Sequence, residues 1–209
     1  MQIRTDVPYW DAYYGRDGAP KPPSDFAKFA LDYMDKDKML IDLGCGNGRD
    51  SVFFYNNGLK VMAVDSSKSA VESFDKSIPI FAVCDDFVKT HALNCINFDY
   101  CYARWTIHAI NQNQQDELLP KVYNSLRSGG LFFSETRTIN DVKYGQGQAL
   151  GKHEYIADKH YRRFLDPDSL ITQYKSLGFE IIYCKESNEF SVMDGDSPTL
   201  IRVIAKKPD

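Results

Sequence analysis

Metal-ligand and redox spacings are missing from this sequence. Its five cysteines (Cys45, Cys84, Cys95, Cys101 and Cys184) are odd in number and no two are spaced C-x-x-C. Neither a zinc cage nor a disulfide framework is suggested. Cys84 and Cys101 lie inside apolar runs and read as small core hydrophobes. Long apolar runs are missing too. None approaches the roughly 18 residues of a spanning helix, and the first six residues carry no signal-type stretch. A soluble, cytoplasmic protein without membrane insertion is expected. A basic surplus is also lacking: 25 Lys and Arg stand against 29 Asp and Glu, a formal charge of −4. A chain that grips a nucleic-acid backbone usually carries the opposite imbalance, so nucleic acid is not the expected partner. No internal repeat is found, which excludes a solenoid.

What is present is material for a core. With 209 residues, 43 % of them hydrophobic and 26 % charged, the chain has the length of about one domain and the apolar content to fill it. A single domain over 1–209 is expected. Pro20, Pro22 and Pro23 separate an N-terminal segment, 1–23, from the rest of the chain. Ser24 is placed to cap a helix running to about residue 35, with Phe26, Phe29, Ala30 and Tyr33 on one face. From there strands and helices alternate. Strands are read at 38–43, 60–65, 79–84, 98–103 and 131–135, and helices at 50–57, 67–76 and 112–127. Gly129 and Gly130 are taken as the stop of the last of these helices. Asp166 and Pro167 open a final helix to Gly178, and strands at 179–184 and 199–206 close the chain. This order predicts an α/β fold, Rossmann-like, with a mainly parallel sheet, helices on both faces and an antiparallel pair at one edge. The polar, glycine-bearing segment 138–165 shows no clear period and is read as a lid or insertion.

The informative segment runs Ile41-Asp42-Leu43-Gly44-Cys45-Gly46-Asn47-Gly48-Arg49-Asp50. Glycines between a buried strand and a helix let backbone approach a ligand closely. Asp65 ends the second strand, where a carboxylate can accept from both hydroxyls of a ribose, and Asp85-Asp86 follow the third. The third glycine comes one residue early for a dinucleotide fingerprint. A pyrophosphate favours helix N-terminal amides without a nearby carboxylate. Asp42, two residues before Gly44, would repel it and would welcome a sulfonium and an ammonium group, both of which S-adenosylmethionine carries.

This set of residues closely resembles the class I S-adenosylmethionine-dependent methyltransferases from about residue 39 to 135. The resemblance implies seven strands with the last antiparallel and inserted beside an edge strand. It places Gly44, Gly46 and Gly48 under the methionine part of the cofactor, Asp65 at the ribose, and Asp85 or Asp86 at the adenine amine. Cys45, Ser66 and Asp42 complete the core of the expected cofactor set, with S-adenosylhomocysteine as product. Tyr14, in the cluster Tyr9-Trp10-Asp11-Ala12-Tyr13-Tyr14, and Arg104 are candidates for the cofactor carboxylate. The N-terminal cluster reads either as a cover over the cofactor or as a hydrophobic latch. The Asn/Asp-Pro-Pro-Tyr/Phe motif of enzymes that methylate adenine amines is absent after the fourth strand, where Ala103-Arg104-Trp105-Thr106-Ile107-His108 stands instead. That stretch, with Ser134 to Arg137 and His160 to Phe164, is similar to small-molecule methyltransferases of bacterial surface-polysaccharide loci. It also shares features with tellurite-resistance methyltransferases.

Methyl transfer demands collinear positioning, and a hydroxyl acceptor must in addition lose a proton. His108, just past the fourth strand, is a candidate for the acceptor site or an ordinary helix histidine. His160, Arg162 and Arg163 in the 138–165 segment, with Arg137, read either as a solvated basic loop or as a clamp on an anionic acceptor. The expected partner is a small anionic molecule: a sugar, a sugar-phosphate or a phosphoryl group of a surface glycan precursor. The oligomeric state stays open between monomer and homodimer, and no metal is expected. Three alternatives stand beside this reading: a tellurite- or thiol-type methyltransferase, an NAD-dependent oxidoreductase, and a cofactor-binding subunit without turnover.

Overall fold

A computed structural model describes residues 6–16, 22–192 and 196–209. Residues 1–5 and 17–21 of the expected covering segment therefore lie outside the described residues. The elements in chain order are α1 (Val7–Arg16), α2 (Asp25–Leu31), β1 (Met39–Leu43), α3 (Arg49–Asn56), β2 (Lys60–Asp65) and α4 (Lys68–Glu72). They continue with β3 (Phe81–Cys84), α5 (Ala92–Cys95), β4 (Phe98–Arg104), a 3-10 turn (Ile107–Ala109), α6 (Gln112–Ser125) and β5 (Leu126–Arg137). β6 (Gln148–Gly151), β7 (Glu154–Ala157), β8 (His160–Arg163), α7 (Pro167–Ser176), β9 (Glu180–Ser187) and β10 (Leu200–Lys206) complete the chain.

Seven strands form one sheet in the order β3-β2-β1-β4-β5-β10-β9. β1 to β5 are mutually parallel, and β10 runs antiparallel between β5 and β9. The central strands are apolar on both faces because both faces are covered. Leu40, Val61, Tyr100, Tyr102 and Phe133 pack with Phe26 of α2 and Phe54 of α3. Their chain neighbours Ile41, Cys101 and Phe132 point the other way, toward Leu118 and Val122 of α6 and Leu170 and Tyr174 of α7. Each fully buried Leu or Phe contributes about 1.5–3 kcal/mol to this two-sided core.

The caps explain where helices begin. The Ser24 hydroxyl accepts from the Ala27 amide at 3.0 Å, as expected. Asn111 and Gln114 form a reciprocal capping box at the start of α6. Several boundaries differ from the sequence reading: α2 stops at Leu31 rather than near 35, β5 spans Leu126–Arg137 rather than 131–135, and β9 runs on to Ser187. α4 stops at Glu72 rather than near 76, because the next turn is taken by Ser73, whose hydroxyl donates to the Ala70 carbonyl at 2.6 Å. α6 ends at Ser125, and Gly129 and Gly130 lie within β5 rather than closing the helix.

The largest difference is in 138–165, which holds a second, three-stranded antiparallel sheet, β6-β7-β8. Its strands have four residues each, too short to display a period. The β7–β8 turn is built from Asp158 and Lys159, both at positive φ (53° and 67°). That is the backbone of a tight hairpin turn written without the usual glycine. The segment returns to the main sheet through a bridge between Thr138 and Leu165.

Candidate active site

A cavity of ≈ 380 Å³ opens at the carboxyl ends of β1, β2, β4 and β5, beside the point where the strand order reverses. Gly44, Cys45 and Asn47 of the glycine loop form its floor. Gly44 has φ +78°, and a Cβ there would collide with the Thr106 side chain. At Gly46, φ +55°, a Cβ would run into the Tyr14 hydroxyl. Close approach of Thr106 and Tyr14 is what requires glycine at these two positions.

One wall is acidic. Asp42, buried at the end of β1, accepts a 2.6 Å hydrogen bond from the Ser51 hydroxyl. Burial pushes its carboxyl up to about 8, with Asp50 and Asp65 adding to the effect. Asp65, at the end of β2, is oriented by the backbone N–H groups of Gly46 and Ser67, each at 2.8 Å. Ser66 and Phe87 continue this wall. Tyr14 lies over the loop, its phenol pushed well up by burial and by Asp65. Tyr13 of α1 also lines the cavity, while the rings of Tyr9 and Trp10 reach across it to His160 of β8. Cys45 also lines the cavity, but burial pushes its thiol well above the usual range, so it is no nucleophile.

The opposite wall is basic. Burial alone would lower the Arg104 guanidinium, but Glu135, 3.2 Å away, outweighs it and holds the charge. Glu135 also accepts from the Trp105 indole at 2.9 Å and from Arg202 at 2.7 Å. Trp105 lies at φ +61°, an uncommon conformation for a bulky residue, and carries Arg104 and Arg137 over its ring at 4.6 and 5.4 Å. His108, on the 3-10 turn, bonds through Nδ1 to the Thr136 hydroxyl and the Arg137 backbone N–H. Burial, followed by the charge of Arg137, pushes its imidazole well below the ordinary range. From β8 come His160 and Arg162. His160 stacks on Tyr9 at 4.6 Å and accepts from Arg162 at 3.0 Å.

The four expected cations therefore have different surroundings. Arg104 is tied to Glu135. Arg137 is clamped by Asp141 at 2.8 Å and by Asp196 at 2.7 Å. Arg163 turns away from the cavity, to Gln112, Gln115 and the Ile107 carbonyl. It lines a separate concavity between α6, α7 and the small sheet. Arg162 alone, among the described residues, faces the cavity with no carboxylate within ion-pair distance.

Of the expected cofactor residues, Tyr14, Asp42, Gly44, Cys45, Asp65, Ser66 and Arg104 line the cavity. Gly46 and Gly48 lie behind it, packed on Tyr14 and Phe74. Asp85 and Asp86 do not line it: Asp85 accepts from the Asp86 amide at 2.8 Å and Asp86 from the Val88 amide at 3.0 Å. The sequence reading missed Asp50, Phe87, Tyr102, Trp105, Thr106, Tyr161 and Asp196 as wall residues. Trp105 and Thr106 stood within the stretch singled out after the fourth strand. Asp196 had no sequence signal, since its partners, Arg137 of the wall and Lys143, lie far from it in the chain. No cluster of three or more metal-ligating side chains occurs among the described residues.

The profile of a methyltransferase domain matches residues 40–130, which span the glycine loop through the start of β5. That match covers less than half of the chain. The fold around those residues is that of the class I S-adenosylmethionine-dependent methyltransferases, with the antiparallel strand inserted beside the edge as the resemblance implied. A SAM-dependent methyltransferase of Methanosarcina mazei superposes with a TM-score of 0.74 at 14 % identity, over 86 % of this chain and 97 % of that one. TehB of Haemophilus influenzae does so with 0.69 at 14 % identity, over 95 % of this chain and 67 % of that one. Among curated proteins, the carboxy-S-adenosyl-L-methionine synthase of Campylobacter concisus is 24 % identical over 143 residues. The alignment takes in 66 % of this chain and 61 % of that relative. The chain thus spans about three fifths of the length of that relative. No described helix is long and apolar enough to cross a membrane.

Proposed function

We propose that this protein transfers a methyl group from S-adenosylmethionine to a small acceptor that carries negative charge. A sugar-phosphate or a phosphoryl group of a surface glycan precursor fits that description. The observation that carries the reading is Arg162: a buried guanidinium on the cavity wall, without a carboxylate partner among the described residues. Asp158, Asp141 and Asp196 act on this charge only from beyond ion-pair distance, and an anionic ligand supplies the direct partner it lacks.

The acidic wall suits the cofactor. Asp65 would accept from the ribose hydroxyls, Asp42 would face the positive groups of the methionine part, and Arg104 would meet its carboxylate. When bound, the cofactor supplies an electrophilic methyl group on a sulfonium, and sulfur keeps the bonding pair as the acceptor's lone pair forms the new bond. The protein's own work is positioning. The aromatic rings of α1 exclude water on the cofactor side, and β8 presents Arg162 to the acceptor. We assign the segment 138–165 to the role of acceptor lid on this basis, and the segment 1–23, through α1, to that of cofactor cover.

A second reading rests on the same arginine. The name of the Campylobacter relative denotes a cofactor derivative bearing a carboxyl group, and Arg162 would hold such a group equally well. Calorimetric titration with S-adenosylmethionine, S-adenosylhomocysteine and NAD tests the cofactor. Micromolar binding of the first two and none of the third is expected, and binding of NAD alone would overturn the proposal. An acceptor screen begun with phosphorylated sugars, with the mass of every nucleoside product recorded, separates methyl transfer from carboxylated-cofactor formation.

A further inference from the structure

We infer that His108 is held as the neutral tautomer with its proton on Nε2, and that it donates a hydrogen bond to the acceptor's anionic group rather than removing a proton. The inference deepens the anionic-acceptor reading and rests on it. It starts from the nitrogen that faces away from the cavity. Nδ1 lies 3.2 Å from the backbone nitrogen of Arg137, with the N–H directed at it. A backbone amide can only donate, so Nδ1 carries no proton. The Thr136 hydroxyl, 3.1 Å from the same nitrogen, then donates as well. A neutral imidazole has one ring proton, and it is left on Nε2.

Nε2 makes no hydrogen bond to any described residue, and the ring lines the cavity. A base needs a vacant lone pair where the acceptor sits. His108 has its lone pair on the strand side, already occupied, and a proton on the cavity side. A second proton is opposed from every element packed on the ring. Arg137 of β5 and Arg162, His160 and Arg163 of β8 all act against a positive imidazole.

The second histidine of the wall is also committed. The Arg162 guanidinium has no acceptor atoms, so it donates to Nε2 of His160, which leaves the His160 proton on Nδ1, 3.3 Å from the Asp158 carbonyl. His160 is thus a positioning residue that aims Arg162. Arg162 and the His108 Nε2–H then form an anion-recognition pair. The acceptor reaches this pair with its nucleophilic atom already ionised, as in a carboxylate or a phosphate. Its lone pair bonds the methyl carbon, the sulfur–carbon bond breaks toward sulfur, and no proton passes to His108.

Two measurements on the full chain test this. Long-range proton–nitrogen NMR on histidine-labelled protein should show His108 protonated at Nε2 and unchanged from pH 6 to 8. A proton on Nδ1, or titration within that range, overturns the proposal while leaving the anionic-acceptor reading intact. Inorganic phosphate is then titrated against the fluorescence of Trp10 and Trp105, the two tryptophans of the sequence, both of which line the cavity. His108→Ala should weaken phosphate binding by roughly tenfold, through loss of one hydrogen bond to a charged group. His108→Gln, which restores an N–H near Nε2, should recover most of it. Loss of phosphate binding in Arg162→Ala but not in His108→Ala overturns the role of His108 alone. No phosphate binding by the unaltered protein overturns the anionic-acceptor reading and the inference with it.

Discussion

The two walls of the cavity are built in opposite ways. The acidic wall comes from strand ends and turns close in sequence: Asp42 and Asp65 flank the glycine loop, and backbone N–H groups of that loop and the next turn fix Asp65. The basic wall is assembled from the 3-10 turn after β4, the end of β5 and the hairpin strand β8, and its charges are sorted by partners far along the chain. Asp196 lies 59 positions from Arg137, and Gln115 lies 48 from Arg163. A wall made of one local motif has its chemistry written into consecutive residues. A wall made of distant segments has its chemistry decided by who meets whom.

Glu135 anchors the basic wall from behind, and removing it should have the largest effect. It is fully buried and serves Arg104, Arg202 and Trp105 together. Glu135→Ala leaves two guanidiniums without their carboxylate, and urea denaturation should show a loss of about 3–5 kcal/mol. A loss below about 1 kcal/mol would mean the basic wall does not depend on this carboxylate. Asp65→Ala acts on the acidic wall alone. It should weaken S-adenosylmethionine by about 1.5–3 kcal/mol, the value of hydrogen bonds to a charged acceptor, with phosphate affinity unchanged. Equal weakening of both ligands would merge the two walls into one site.

Arg162→Met probes the basic wall with the opposite sign for stability. A buried cation with no carboxylate within ion-pair distance is replaced by an apolar chain of similar length. Stability against unfolding should therefore rise, by about 1–2 kcal/mol, while phosphate binding is lost. A destabilised variant would show that Arg162 has a structural partner after all. The smallest effect concerns pH. With its carboxyl pushed up to about 8, Asp42 is protonated at pH 7 before a cation arrives, and a positive ligand favours the ionised form. Cofactor affinity should thus rise from pH 6 to 8, by at most about tenfold per unit, and binding at pH 7 should release protons. Calorimetry in two buffers of different ionisation enthalpy measures that release. A buffer-independent heat would remove Asp42 from the cofactor's positive end.

The sequence carried the sheet and one half of the site well. Alternation of buried strands and capped helices located β1 to β5, and Ser24, Asp166 and Pro167 marked helix starts that the structure retains. Short elements were illegible. β6, β7 and β8 span four residues each, and the Asp158–Lys159 turn adopts positive φ without glycine to announce it. Within the site, Asp42 and Asp65 were identifiable from their positions at strand ends. Asp85 and Asp86 shared that signal, yet both side chains fold back onto local amides and leave Phe87 on the wall. Position at a strand end places a residue near the ligand face, and the following turn decides where its side chain points.

By itself the sequence determined the α/β class, the glycine loop and the acidic strand ends, because hydrophobic periodicity and glycine's freedom at positive φ act over a few neighbouring residues. Which arginine faces the cavity without a counter-charge was decided only by tertiary structure. Arg104, Arg137, Arg162 and Arg163 carry the same group on the same side of the sheet. Glu135 ties the first, Asp141 and Asp196 neutralise the second, and two glutamines of α6 turn the fourth away. A charge acquires its role from the dielectric and the partners around it, and those are set by packing between segments that the chain order keeps apart.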